Sequence, residues 1–318
     1  MSNIILAAPK ITPSSLMPAE DIIGEIRCHA GNLPQIGLEY LSDTRTLWIT
    51  LQPAPKPVFT YSVVDSVHKV QTAIMDLWGN ASSSPVMFLA YRSSGLVYTL
   101  GGDLDFYLEC LAKNDRSALF AYAQVATDVI NLNASSLGRM AITLSTVHAK
   151  ALGGGIDPAR SCNIMIAEES ARFGYPEVAF NHYPITAVPI LSRRVGALAA
   201  QQILMSAQEY SAQEFYEKGV LDTVVPDGAG EAWISNYTAK SLTTHAARLG
   251  LFSAFHRRAG DLEAELREAA SNWVEHIFSL RPLDIAKLQK IVQTQDRMLA
   301  RMYRLSMPLE AQAAPLEA

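Results

Sequence analysis

From Ile36 to about Val225, short strand-like apolar runs alternate with segments of helical period, and from about residue 230 to 306 the helical period continues alone. Alternation of this kind builds a sheet whose faces are covered by the intervening helices. Ile36–Leu41 and Thr46–Leu51 are β-rich runs separated by Ser-Asp-Thr-Arg, the pattern of a hairpin. Pro53, Pro55 and Pro57 then forbid regular structure. From Tyr61 the period changes: Val63, Val64, Val67, Val70, Ile74, Leu77 and Trp78 recur at helical spacing, with Gly79 as the stop. Pro85–Tyr91, Leu96–Leu100, Ala141–Val147 and Asn163–Ala167 read as strands, and Arg116–Asn131 as a long helix. Ser211–Lys218 reads as a capped helix ending at Gly219, with a strand in VLDTVV after it.

These segments divide the chain into a poorly ordered arm (1–25), an α/β core (26–228), a helical segment (229–306) and a frayed tail (307–318). Hydrophobic residues make up 49% of the chain and charged residues 18%, which supplies a core and excludes a disordered or fibrous protein. A net charge of -5 argues against nucleic acid as the main partner, which calls for a basic stripe. No apolar run approaches the roughly 20 residues that span a bilayer. The opening MSNIILAAPKITP has no basic region before its apolar residues and does not read as a signal peptide. Cys28, Cys110 and Cys162 are odd in number, widely spaced and without a CxxC, as suits buried thiols in a reducing compartment. The expectation is a cytoplasmic globular protein.

Two glycine-rich turns carry the chemical signal. One is Leu100-Gly101-Gly102-Asp103-Leu104, at the end of an expected strand; the other is Leu152-Gly153-Gly154-Gly155-Ile156-Asp157, also after a strand and opening a helix. Brought together, they could aim two backbone N–H groups at one carbonyl oxygen and stabilise an enolate or a tetrahedral oxyanion. Taken singly, each is an ordinary tight turn. Neither is a GxGxxG or a P-loop. Asp157 follows the triple glycine, and Glu177 lies twenty residues on, in Phe173-Gly174-Tyr175-Pro176-Glu177. Two carboxylates converging on one site can divide acid and base roles; the plainer reading makes Asp157 a helix-start residue and Glu177 a solvated loop residue.

Other residues have both a chemical and a plain reading. His148 and Lys150 lie just before the triple glycine; His148 is a third acid/base candidate or a satisfied loop or core histidine. Asn181 and His182 follow Glu177 closely, as supports of the site or as ordinary loop residues. Arg193 and Arg194 suit an acidic carrier protein, a phosphate or a solvated helix face. Tyr91, Tyr98 and Phe106 read as core. The seven histidines show no HxxxH or HxH, so no metal is inferred.

The succession LGGDL, ALGGGID, SCNIMIAEESARFGYPEVAF and YSAQEFYEKGVLDTVVP resembles the crotonase (enoyl-CoA hydratase/isomerase) superfamily over roughly residues 45 to 226. The LGGDL wording, the long helix after it and the N-terminal extension look most like the diffusible-signal-factor synthase branch. Those enzymes make cis-2-unsaturated fatty-acid signals from acyl-carrier-protein thioesters. The resemblance implies an α/β fold, a ββα spiral core followed by a C-terminal helical segment that helps form trimers or hexamers. It implies an oxyanion hole from the backbone N–H groups of Gly102 and Gly154, with Asp157 and Glu177 at the positions of the family's two glutamates. It implies no cofactor beyond an acyl-CoA or acyl-carrier-protein thioester, and dehydration of a 3-hydroxyacyl thioester to a 2-enoyl product, with thioester hydrolysis as a further step. An enoyl-CoA hydratase or isomerase of a degradation pathway, and an attenuated ligand- or partner-binding scaffold, stand as alternatives.

The sequence departs from the family pattern in two places. Asp157 is one methylene shorter than the expected glutamate and is followed by Pro158, and a reach deficit of about 1 Å can cost on the order of a hundredfold in rate. The glycine-rich stretch frequent after the GxPE glutamate is here Tyr183-Pro184-Ile185-Thr186-Ala187-Val188-Pro189, which brings side-chain bulk toward the acyl pocket.

Overall fold

β1 (Ile36–Leu41) and β2 (Thr46–Leu51) form the expected hairpin, in antiparallel register from Ile36 opposite Leu51 to Leu41 opposite Thr46. The structure, a computed structural model, describes residues 18–81 and 84–306. Ahead of the hairpin stands α1 (Ala19–Ala30), where the sequence reading placed an arm reaching to residue 25. Ile22 and Ile26, one turn apart, are both fully buried, and that apolar stripe holds the helix down. Residues 1–17 of the expected arm and the expected tail, 307–318, lie outside the described residues.

After the hairpin the order is α2 (Tyr61–Trp78), β3 (Phe88–Ser93), α3 (Leu104–Lys113), α4 (Arg116–Ala134), the short α5 (Ser136–Arg139) and β4 (Ile142–Val147). Next come β5 (Lys150–Leu152), α6 (Ile156–Arg160), β6 (Ile164–Glu168), β7 (Arg172–Gly174), α7 (Ala187–Val195) and α8 (Ala197–Ser206). Then follow β8 (Glu209–Ser211), α9 (Ala212–Glu217), β9 (Thr223–Val225) and the closing helices α10 (Gly230–Ser241), α11 (His245–Arg258), α12 (Leu262–Phe278) and α13 (Pro282–Ser306). The cap read from the sequence at Ser211 is in place, closing a capping box with Glu214 at α9, and at α2 the Thr60 hydroxyl accepts from Val63 N–H.

A six-stranded sheet in the order β1-β2-β3-β4-β6-β9 is parallel beyond the hairpin. Its two faces are covered by different helices, as the alternation of side chains requires. Phe88, Ala90, Ile142, Leu144, Ile164 and Ile166 pack with Ile234 of α10 on one face. Leu89 and Tyr91 join the larger core with Val67, Val70 and Ile74 of α2 and Val129 of α4 on the other.

A second sheet, β5-β7-β8, positions the chemistry. Its strands are three residues each, and the sequence reading did not anticipate them. The triple glycine follows β5 rather than β4. Leu96–Leu100, expected as a strand, is instead a bent segment that joins the edge of β5 by one bridge, Thr99 to Ala151. Gly101 then ends the pairing, because it takes a positive φ of 110° and turns the chain away from β5.

Candidate active site

β5 and β7 run parallel in the register Lys150–Arg172, Ala151–Phe173, Leu152–Gly174. Both strands stop at the same level, so the triple glycine and the Tyr175-Pro176-Glu177 turn leave the sheet side by side. Thr99 pairs on the other edge of β5, which brings the Gly101-Gly102 turn to the same place. The glycine turns touch: a Cβ on Gly155 would stand 2.7 Å from the Thr99 side chain and 3.0 Å from the Gly101 Cα. The convergence expected of these two turns is therefore present.

Glu177 begins a short 3-10 turn, Glu177–Phe180, and points back at the triple glycine. Gly154 N–H donates to Glu177 Oε1 at 2.8 Å. Gly153 has a φ of 57°, and a Cβ there would fall 2.3 Å from the same oxygen, so the carboxyl lies where only glycine leaves room. Glu177 Oε2 is buried and has no partner among the described residues. Burial pushes the Glu177 carboxyl up to about 8, against the opposing pull of backbone N–H groups and with the Asp157 charge adding to the rise.

Asp157 lies one layer further in and is fully buried. Tyr175 Oη donates to its Oδ1 at 2.7 Å and Thr186 Oγ1 to its Oδ2 at 2.8 Å. Burial raises this carboxyl to about 7, and the two hydroxyls oppose the rise. Gly102, Gly154 and Glu177 line a cavity of about 580 Å³ whose walls are otherwise mostly apolar. Among the described residues, Glu177 is the one carboxylate on that wall, and Thr186 stands on the wall in front of Asp157.

Tyr107, from the first turns of α3, was not singled out in the sequence. Its hydroxyl presses on Gly102, where a Cβ would lie 2.0 Å from the oxygen, and it donates to Tyr122 Oη at 3.3 Å. His182 also reaches the cavity, as do Lys287, Lys290, Thr294 and Gln295 of α13. That helix is tied across the first glycine turn by Gln295 Nε2 donating to Leu100 O and by an ion pair between Lys56 and Asp296. His182 had been weighed as a support of the site, but nothing in the local sequence distinguishes a cavity wall from ordinary core at Tyr107 or along α13; only the return of α13 over α3 reveals them.

The sequence profile of the enoyl-CoA hydratase/isomerase family matches residues 113–280, more than half of the chain. The chain belongs to this family. Its crotonase fold is shared with an enoyl-CoA hydratase from Bacillus halodurans (TM-score 0.68, 19% identity, covering 80% of this chain and 99% of that one). The short-chain-enoyl-CoA hydratase of Clostridium acetobutylicum is 41% identical over 83 residues, covering 26% of this chain and 32% of that protein. The bacillaene synthase dehydratase of Bacillus subtilis is 33% identical over 81 residues, covering 26% and 31%. The chain thus spans about a third of the length of these curated relatives.

In this enoyl-CoA hydratase/isomerase family member, the remaining candidates have structural partners. A His148 ring nitrogen lies 2.8 Å from Gly95 O, and Lys150 pairs with Glu209 at 2.6 Å. Arg193 makes a two-point contact with Glu265, and Arg194 bonds Asp222 and the Gly219 carbonyl. Asn181 donates to Asp284 of α13 at 3.1 Å. Tyr91 and Tyr98 are buried as expected but also face the cavity, while Phe106 packs on Tyr122. Cys110 and Cys162 are buried free thiols, whereas Cys28 is exposed, because it faces away from the Ile22–Ile26 stripe of α1. No group of three or more His, Cys, Asp or Glu able to hold a metal occurs among the described residues, and no described helix is long and apolar enough to cross a membrane.

Proposed function

We propose that the protein dehydrates 3-hydroxyacyl thioesters to 2-enoyl thioesters, with Glu177 as the acid/base and Gly102 and Gly154 N–H as the oxyanion hole. The supporting observation is the 2.8 Å bond from Gly154 N–H to Glu177 Oε1 on the wall of an apolar cavity. A thioester carbonyl that replaces the carboxyl on that N–H brings its own α-carbon next to the displaced carboxylate. Glu177 then takes the α-proton, and the electron pair moves into the thioester as an enolate held by the two N–H groups. The enolate re-forms its carbonyl as the C=C bond is made and the β-hydroxyl departs. That hydroxyl takes the proton back from Glu177 and leaves as water, so one carboxyl closes the cycle. Asp157 is a positioning residue in this scheme, accepting from Tyr175 behind the wall and from Thr186 on it.

The LGGDL resemblance supports the signal-synthase branch and, with it, an acyl-carrier-protein thioester in a cytoplasmic setting. Exposed Leu198 and Met205 of α8 and Leu251 and Phe255 of α11 support assembly on the trimeric plan of the family, which light scattering of the purified protein tests. The deciding assay sets 3-hydroxyacyl carrier protein and 3-hydroxyacyl-CoA in competition and follows enoyl thioester and free fatty acid. Free acid adds a hydrolytic step to the reading. Movement of a double bond in a 3-enoyl thioester supports the isomerase alternative, which one carboxylate also serves. Inertness toward all of these thioesters, where a related hydratase turns over, overturns the enzyme reading.

Asp157 supplies a separate test. Asp157→Asn retains turnover within about tenfold, because the side chain is off the cavity wall and the amide still accepts one hydroxyl. Asp157→Ala strands the Tyr175 and Thr186 hydroxyls and lowers stability by about 2–6 kcal/mol, at about 1–3 kcal/mol per buried unsatisfied group. Denaturant titration reads the second effect and steady-state kinetics the first. A collapse of turnover in the Asn variant at unchanged stability would instead give Asp157 a proton to carry.

A further inference from the structure

His182 has a polar atom with no partner among the described residues. Its backbone N–H donates to the Glu177 carbonyl at 3.0 Å, so the ring hangs from the turn that carries the acid/base. Asn181, in the left-handed region at φ 58°, turns the chain so that the ring joins the cavity wall. The side chain is buried, and its Nδ1 has no hydrogen-bond partner among the described residues. The neighbouring rings cannot serve it. The Trp273 indole, 5.8 Å away between centroids, donates to Tyr183 O. The His276 ring, stacked at 5.9 Å, is paired with Asn181 O. The Tyr107 hydroxyl is committed to Tyr122.

A buried polar atom left unpaired costs about 1–3 kcal/mol, and such a group on the wall of a site is the device that rewards a ligand able to satisfy it. Burial, with the His276 ring adding, pushes the His182 pKa down to about 3, so the ring is a neutral imidazole throughout the working range. A neutral imidazole complements a hydroxyl in either direction, as donor or as acceptor. It does not call for a carboxylate or a phosphate. Both side chains project from one turn onto the wall of the same cavity, so a hydroxyl close to the reacting carbons is the substrate group that suits this ring.

We propose that His182 is a specificity-determining residue that hydrogen-bonds the β-hydroxyl of the acyl chain and so selects 3-hydroxyacyl over saturated acyl thioesters. This rests on the thioester reading above and names the feature of the substrate that the site recognises.

Binding rather than turnover tests it. In a Glu177→Gln background, which prevents consumption of the ligand, calorimetry compares 3-hydroxydecanoyl-CoA with decanoyl-CoA, each with His182 intact, His182→Leu and His182→Asn. His182→Leu weakens the hydroxy ligand at least about tenfold and leaves decanoyl-CoA unchanged or tighter, as loss of one buried hydrogen bond requires. His182→Asn recovers part of the preference. Unchanged decanoyl-CoA affinity also certifies that the variants fold. Equal weakening of both ligands shows a packing role and overturns the proposal, as does no change in either. If neither ligand binds with His182 intact, both this inference and the thioester reading are overturned; if both bind and selectivity does not follow His182, only the inference is.

Discussion

Glu177→Gln is expected to lower kcat on 3-hydroxyacyl thioesters by about a thousandfold, within the range of about 10²–10⁴ that a positioned acid/base contributes. The amide keeps the size of the side chain and can still accept from Gly154 N–H, so the loss isolates the proton. Proton abstraction needs the ionised carboxyl, so the kcat/KM of the native protein rises with pH until about 8, where Glu177 titrates. The same shift sets the pH dependence of folding. The carboxyl holds its proton to about 8 when folded but loses it near its ordinary value of 4.5 when unfolded. Between those limits the folded state binds more protons, and stability falls as pH rises. The amide does not titrate, so the Tm of Glu177→Gln relative to the native protein improves from about pH 5 to about pH 8. A native Tm profile that the substitution leaves unchanged would mean the carboxyl is ionised throughout.

Gly153→Ala is the second large effect. The backbone there sits at φ 57°, a conformation that costs a non-glycine residue about 1–3 kcal/mol, and the new Cβ would lie 2.3 Å from Glu177 Oε1. Two outcomes are open to the chain: the carboxyl moves off Gly154 N–H, or the turn unwinds. Either displaces the acid/base from the oxyanion donor, and a shift of about 1 Å costs on the order of a hundredfold in rate. The expected result is a kcat loss of at least that size with a drop in Tm. Gly196→Ala provides the comparison, because that glycine also has a positive φ, of 83°, with nothing within 4 Å of its Cβ position. It loses stability through backbone strain and keeps its activity. Equal losses of activity at the two glycines would remove the steric argument.

The long elements were legible because their periods are long enough to read. The hairpin at Ile36–Leu51 and the helix from Tyr61 follow from spacing, and Ser211 announced the cap of α9. The glycine turns and Glu177 were legible as a set through the family resemblance, and the structure brings them to one cavity. The strands that place them, β5, β7 and β8, were not, because three residues carry no alternation to detect. Asp157 was read as a partner of Glu177 in the chemistry. Its enclosure by Tyr175 and Thr186 depends on where residues 18 and 29 positions away come to lie. His182 was open to a supporting role or an ordinary loop reading, and Tyr107 sits in a stretch that reads as ordinary helix; only the cavity distinguishes them.

The in-register pairing of β5 with β7 has a consequence for how sequences of this kind can diverge. The distance between the oxyanion donor and the acid/base is set across two hydrogen-bonded chains that end together, and not by the number of residues connecting them. Residues added at the exposed Glu169-Ser170 turn, between β6 and β7, can accumulate without moving either group, whereas a single residue added between Gly174 and Glu177 swings the carboxyl out of reach of Gly154. Evolutionary drift in length is thereby channelled into the connector, and the three positions after β7 behave as a ruler.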